Sequence, residues 1–380
     1  MVDFSKAFNW QNHNILITKL IDMNVPAWLL KIVMAFLSNR TMMVRFKGAK
    51  SATKSMPGGG PQGTLLGLLL FLVLINDAGF ENQVNNAGEL ITGKRNFKAA
   101  NKIHLKYVDD MTIAEAVKLK EKLVSVPDRP QPDLYHARTG HYLPTENSEV
   151  FKNLIATNQY AQVNEMKLNF KKNKLMIFNN SKTMDFVPNF EVEGKEIEVV
   201  EEMRILGLIV RTDLKWSSNT EHILEKAYNR LWILRRLKGL GADQSKLIDV
   251  YMKQVRSVVE LAVPAWHPGL TISETVDIER VQRAALHIIM GWSYTSYNIA
   301  LKHFNLDTLQ ARRVKLCEKF AKKAVKHPKH TNWFKPNLKT TVTRFQQPKY
   351  CPVVSKTKRF QRSPLSFLTS LLNKYSKRDK

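Results

Sequence analysis

Cysteine, acidic residues and long apolar runs are all scarce in this chain, and each scarcity excludes something. The two cysteines, Cys317 and Cys351, are too few for a disulfide framework and fit a reducing compartment. His327 and His330 lie between them, but no close cysteine pair sets a metal-ligand spacing, so a zinc site is disfavoured. The most apolar stretch, residues 64–75, is well short of the roughly 20 residues a membrane span needs. Asp3 and Lys6 interrupt the N-terminus before any apolar stretch, which argues against a signal peptide. No internal repeat is visible. A soluble, intracellular protein of the cytoplasm, the nucleus or both is expected, with no membrane partner.

The shortage of acids is the most informative. Against 59 Lys and Arg stand 33 Asp and Glu, a formal charge of +26 and a pI near 9.9. Such an excess repels itself unless a polyanion is near, and nucleic acid is the leading candidate. Residues 311–380 hold 20 Lys and Arg against two acids, Glu318 and Asp379; the plainer reading of that segment is a solvated basic tail. A hydrophobic fraction of 44% over 380 residues is enough for a real core and for two or three domains.

Along the chain, helical spacing over residues 14–36 is divided by Pro26. Residues 41–46 alternate like a strand, 57–63 are a Gly/Pro loop, and an apolar helix spans about 65–78. Alternation over 103–114 around an acidic pair predicts a β-hairpin with Asp109 and Asp110 at its turn. Residues 127–146 are rich in Pro and polar side chains and are expected to be an irregular insertion. A basic strand region covers 167–178, and strands are expected within 190–210. From Glu221 the pattern is helical: one helix stops near Gly239–Gly241, Asp243 caps the next, and Thr271 with Glu274 makes a capping box for another that Gly291 ends. Beyond about 335 only 364–372 is periodic. A mixed α/β part thus precedes a helical part.

Two-metal nucleotidyl transfer activates a 3′-hydroxyl and neutralises a leaving pyrophosphate, and it needs two or three carboxylates converging from separate strands. A lone Asp-Asp turn is more often a solvated turn. Here it has company. Tyr107-Val108-Asp109-Asp110 resembles the YxDD signature of reverse transcriptases. Val2-Asp3-Phe4-Ser5-Lys6-Ala7-Phe8 resembles the first carboxylate motif of that family. Gly60-Pro61-Gln62-Gly63-Thr64 with Leu65-Leu66-Gly67 resembles its nucleotide-binding loop and helix. Leu168-Asn169-Phe170-Lys171-Lys172 resembles its N-x-x-K strand, and Ile205-Leu206-Gly207-Leu208 its primer-gripping hairpin. All five stand in the family's order, closest to the non-LTR (LINE-type) retrotransposons, over residues 2 to roughly 370.

The resemblance implies an RNA-directed DNA polymerase acting on an RNA template, a DNA primer and deoxynucleoside triphosphates, with two Mg²⁺ ions or Mn²⁺ in their place. Asp3, Asp109 and Asp110 are then the metal ligands. Phe8 lies under the incoming sugar and disfavours a 2′-hydroxyl, although it also reads as an ordinary core residue. Gln62, Gly63 and Tyr107 contact the nucleotide; the glycines also fit a plain surface turn. Lys172 is a general acid or charge stabiliser at the pyrophosphate, although with Lys171 and Lys174 it also reads as a simple basic face.

The implied fold is α+β: a palm over 1–212 (an antiparallel sheet with helices on one face, with the 127–146 insertion), an all-helical thumb over 213–310, and a basic nucleic-acid-binding extension over 311–380. Asn9, Thr64, Leu68 and Asn173 depart from the family's usual Asp, Ser, Pro and Thr. The fingers region that precedes Asp3 in complete members is missing, so the strand bearing Asp3 is expected to be a poorly fixed stub and the chain an inactive, truncated remnant. The competing reading is a non-catalytic basic RNA- or DNA-binding protein that retains the polymerase fold; an intron maturase is a third. Oligomeric state is not legible.

Overall fold

The computed structural model describes residues 1–5, 7–61, 63–78, 83–84, 90–91, 102–107, 110–115, 134–136, 141–143, 149–178, 190–337, 348–354 and 357–375. The fold is mixed α+β, with small sheets that are antiparallel except for one parallel pair. Two compact units share the chain, Met1–Val200 and Glu201–Lys380.

In the first unit, helices α1 (His13–Asp22) and α2 (Ala27–Leu37) are separated at Pro26. Proline lacks the N–H a continuous helix would need. Asn12 caps α1 by accepting from the amides of Asn14 and Ile15. The expected strand over 41–46 is broken into two short ladders, Thr41–Met42 with Lys54–Ser55 and Arg45–Phe46 with Ala49–Lys50, all exposed. Helix α3 (Leu65–Leu74) starts at the Thr64 cap, whose hydroxyl accepts from Gly67.

Strands β1 (Lys102–Tyr107) and β2 (Asp110–Glu115) pair antiparallel with Tyr107 opposite Asp110. The alternation predicts a hairpin here with Asp109 and Asp110 at its turn; Asp110 instead opens the second strand, and Asp109 lies outside the described residues. Within the expected insertion, Leu134–His136 pairs antiparallel with His141–Leu143; the rest of it lies outside the described residues. Helix α4 (Glu149–Val163) follows, then β3 (Lys174–Leu175), β4 (Phe190–Val192) and β5 (Lys195–Val199), in the order β3-β5-β4. Val2, Phe4, Met111 and Leu168 turn into one apolar core with Leu16, Leu70, Phe71 and Leu154.

A buried polar knot ties α1, α3 and α4 together. Lys19 Nζ donates to Leu74 O (2.7 Å), Asp77 Oδ1 (2.8 Å) and the Tyr160 hydroxyl (2.8 Å). The single Tyr160 O–H has both Leu74 O and Asp77 Oδ1 within hydrogen-bond reach as acceptors. Burial lowers the Lys19 pKa against the opposing pull of Asp77. Burial first, then the Asp77 charge, holds the Tyr160 hydroxyl far above its ordinary value.

The second unit opens with a hairpin, β6 (Glu202–Ile205) and β7 (Leu208–Arg211). Its two-residue turn places Leu206 at φ 47° and Gly207 at φ 88°, the doubly positive pattern of a type I′ turn. The two compact units divide just before this hairpin. Asn219 at the start of α5 (Ser217–Gly239) accepts from Ile209 N at 3.1 Å, which ties β7 to the helices. Helices α6 (Gln244–Val250), α7 (Ile272–Met290) and α8 (Tyr297–His303) follow. Asp243 caps α6, and the Thr271–Glu274 capping box opens α7.

Two helices from residues 311–380 and their approach join the core of this unit. Helix α9 (Leu309–Lys326) and helix α10 (Pro364–Tyr375) place Leu309, Cys317, Ala321, Leu368 and Leu371 in one core with Leu231, Trp266 and Leu286. Part of the basic surplus is used inside this unit. Arg312 pairs with Glu260, Lys315 with Asp307 at 2.6 Å, and Arg313 is fully buried with Nε on His267 Nδ1 at 3.3 Å. No helix among the described residues is long and apolar enough to cross a membrane.

Candidate active site

The first five residues run as a central line between β2 and the segment 167–174. On one side Val2 and Met111 exchange both backbone hydrogen bonds, at 2.7 and 3.1 Å. On the other, Phe4 bridges Leu168, with Ser5 N donating to Lys167 O (2.7 Å) and Asn169 N donating to Asp3 O (2.8 Å). Strand side chains alternate between faces, so with Val2 and Phe4 in the core, Asp3 stands on the opposite face. Asp3 follows Val2 and Asp110 precedes Met111, so the two aspartates flank this bridge in the chain.

Asp3 is well fixed, contrary to the expectation of a loose stub. It is 6% exposed. Its amide donates to Asn173 Oδ1 at 2.8 Å, its Oδ2 accepts from Asn169 Nδ2 at 3.2 Å, and Lys172 Nζ lies 3.3 Å from the same oxygen. All three side chains come from the turn 169–173, where Lys172 N and Asn173 N both bond back to Asn169 O. A short turn thereby aims one cation and two amides at a single aspartate.

Phe8 stacks on Phe71 of α3, ring centroids 4.4 Å apart. It is half-buried at the edge of the core, a position compatible with both of its readings. The Gly/Pro loop lies against the segment that carries Phe8. Gly60 N donates to Phe8 O (2.7 Å) and Gly59 N to Gln11 O (2.9 Å). Arg40 Nη1 at 2.7 Å and His13 Nε2 at 3.0 Å both reach Gly59 O. Gly59 has φ 79°, and a Cβ at Gly60 would collide with the Gln11 amide. The positive φ at Gly59 favours glycine there, and a side chain at Gly60 would require the Gln11 amide to shift. Gly63 sits at φ 83° with open space around its Cα, next to the Thr64 cap.

Asp109 and Gln62 lie outside the described residues, and Tyr107 and Asp110 are described as strand backbone. Of the three carboxylates, Asp3 alone has a described side chain.

No family model matches the chain, and no curated protein matches it. The site therefore stands on its own residues. Its one described carboxylate is buried with its Oδ2 facing the Lys172 ammonium, and among the described residues no three His, Cys, Asp or Glu side chains group as a metal site. A carboxylate oxygen is a hard donor of the kind Mg²⁺ and Mn²⁺ take.

Two residues that hold Asp3 have no site role in the sequence reading: Asn169, although it opens the N-x-x-K motif, and Asn173. Asn173 in particular reads as a departure from the family's threonine, yet its Oδ1 is the acceptor for the Asp3 amide. Gln11 is a third omission. It is buried against the glycine loop, and neither amide atom has a partner among the described residues.

Proposed function

We propose that this chain carries the catalytic palm of an RNA-directed DNA polymerase of the non-LTR retrotransposon type, with its second unit a thumb-like helical region. The observation that carries the reading is the bridge between Val2 and Met111, the residues next to Asp3 and Asp110, with Asp3 anchored by the Asn169–Asn173 turn. Five motifs in the family's order supply the identity of the chemistry. Asp3, Asp109 and Asp110 hold the divalent ions, which when bound activate the primer hydroxyl and neutralise pyrophosphate.

The chain's own residues do the positioning. Asn173 and Asn169 fix the Asp3 backbone and one carboxylate oxygen. Phe8, stacked on Phe71, is the ring that would exclude a 2′-hydroxyl. The glycine loop brings Gln62 and Gly63 to the nucleotide. Lys172 is within reach of the carboxylate that the triphosphate approaches, as a charge stabiliser needs to be. The surplus of basic residues outside internal ion pairs binds the template and primer backbones.

The test is extension of a DNA primer on an RNA template with Mg²⁺ and deoxynucleotides. It compares the full product of the reading frame that carries this chain with its Asp109→Ala and Asp3→Asn variants. The expected result is extension that falls by about 10³-fold or more in each variant. Extension that survives Asp109→Ala removes the catalytic assignment from the hairpin. Strong, salt-dependent RNA or DNA binding with no extension by any form favours the non-catalytic binding protein.

A further inference from the structure

We infer that Lys172 is a resident counter-ion of Asp3, which a divalent ion must displace to bind. The inference rests on the proposed metal role of Asp3, and it names a competition built into that site. The geometry is direct. Asp3 is a carboxylate whose side chain is 9% exposed, and Lys172 Nζ lies 3.3 Å from its Oδ2. A carboxylate taken out of water needs a positive partner. Lys172 supplies one from a stem that is itself 69% exposed, so it can swing away at little packing cost.

The other groups on Asp3 do not have this freedom. Asn173 is buried and holds the main-chain amide, and Asn169 is tied by its own backbone N–H to Asp3 O. They keep the carboxylate in place whichever cation faces it. The turn therefore has a fixed part, the two asparagines, and a movable part, the lysine. Metal arrival and lysine release are two sides of one exchange. The freed ammonium stays on the 169–173 turn beside the site, available to the anionic triphosphate that arrives with the ion.

The neighbouring Lys171 provides the control. It is exposed, carries the same charge on the same turn, and has no ion pair with Asp3. Mn²⁺ binding to the full chain is followed by electron paramagnetic resonance at low salt, for wild type, Lys172→Met, Lys172→Arg, Lys171→Met and Asp3→Asn. Thermal unfolding checks that each variant folds. Lys172→Met is expected to tighten the Asp3-dependent site on the order of 5-fold, while Lys171→Met changes it less than about 2-fold and Lys172→Arg leaves it near wild type.

Equal tightening by Lys171→Met and Lys172→Met would overturn the inference, since it would report only general charge. Asp3-dependent Mn²⁺ binding that Lys172→Met leaves unchanged, or weakens, would also overturn it while leaving the functional reading intact. If Asp3→Asn leaves Mn²⁺ binding unaffected, both the inference and the metal role of Asp3 fail together.

Discussion

At the scale of single residues, burial separates groups that look equivalent in the sequence. Cys317 is fully buried and its thiol is pushed up to about 12, chiefly by burial and against the Arg313 charge, whereas Cys351 is exposed. A thiol-disulfide reagent at pH 8 is expected to label one cysteine rapidly in the native protein and the second only on unfolding; rapid labelling of both would place Cys317 wrongly. His267 shows the same principle with a pH consequence. Burial, and then the Arg313 charge, hold it down at about 4. The unfolded residue takes up its proton near 6.5. More protons are bound by the unfolded chain between these values, so stability is full above pH 6.5 and falls as pH drops towards 4, by up to about 3 kcal/mol. His267→Gln keeps an acceptor for Arg313 and is expected to flatten that part of the urea-denaturation profile between pH 4 and 7. An unchanged slope in the variant would show that other groups carry it.

At the scale of elements, much of the layout is readable in the sequence and the exceptions share a cause. Pro26, the Asp243 cap, the Thr271–Glu274 box and the alternation around Asp109 are local signals, and local chemistry decides each of them. Helix α4 escapes a sequence reading because its inner face is partly polar. Asn153, Thr157 and Asn158 are buried beside Leu154 and Ala161, so hydrophobic periodicity alone does not reveal the face. Helix α9 passes for part of a basic tail because Arg312 and Arg313 count as surface charge in a sequence but pair or pack inside the unit. The site is legible as a set of motifs. The roles of Asn169 and Asn173 are not, because they depend on a long-range pairing between residues 3 and 169.

The same scale yields a prediction with an unusual sign. Ala is ordinarily better than Gly in a helix by about 0.5–1 kcal/mol. At Gly67 in α3, a Cβ would collide with the Pro61 carbonyl. Gly67→Ala is therefore expected to destabilise the first unit by about 1–3 kcal/mol and to shift the 57–64 loop. A rise in the unfolding midpoint would show that the loop and helix are not so closely packed.

Considered as a whole molecule, the chain combines a charge of +26 with a core that reaches nearly to its last residues. Leu368, Leu371 and Leu372 are buried, so removing the C-terminal segment would damage the core as well as remove charge. The cleaner probe is Lys319, Lys323 and Lys326, exposed on one side of α9 and outside the ion pairs that hold Arg312 and Lys315. Changing all three to Gln is expected to lower the slope of log affinity against log salt by about one for each phosphate no longer neutralised. An unchanged slope would move the nucleic-acid surface elsewhere. The proposed chemistry requires above all that Asp3 and the Asp109–Asp110 hairpin meet at one divalent ion. Replacing Mg²⁺ with Fe²⁺ and adding ascorbate and peroxide cuts the backbone beside a bound ion. Cuts are expected near residue 3 and near residues 109–110 in the same protein, both suppressed by excess Mg²⁺ and both lost in Asp3→Asn. Cutting at one of the two segments without the other, or at neither, would contradict a shared ion.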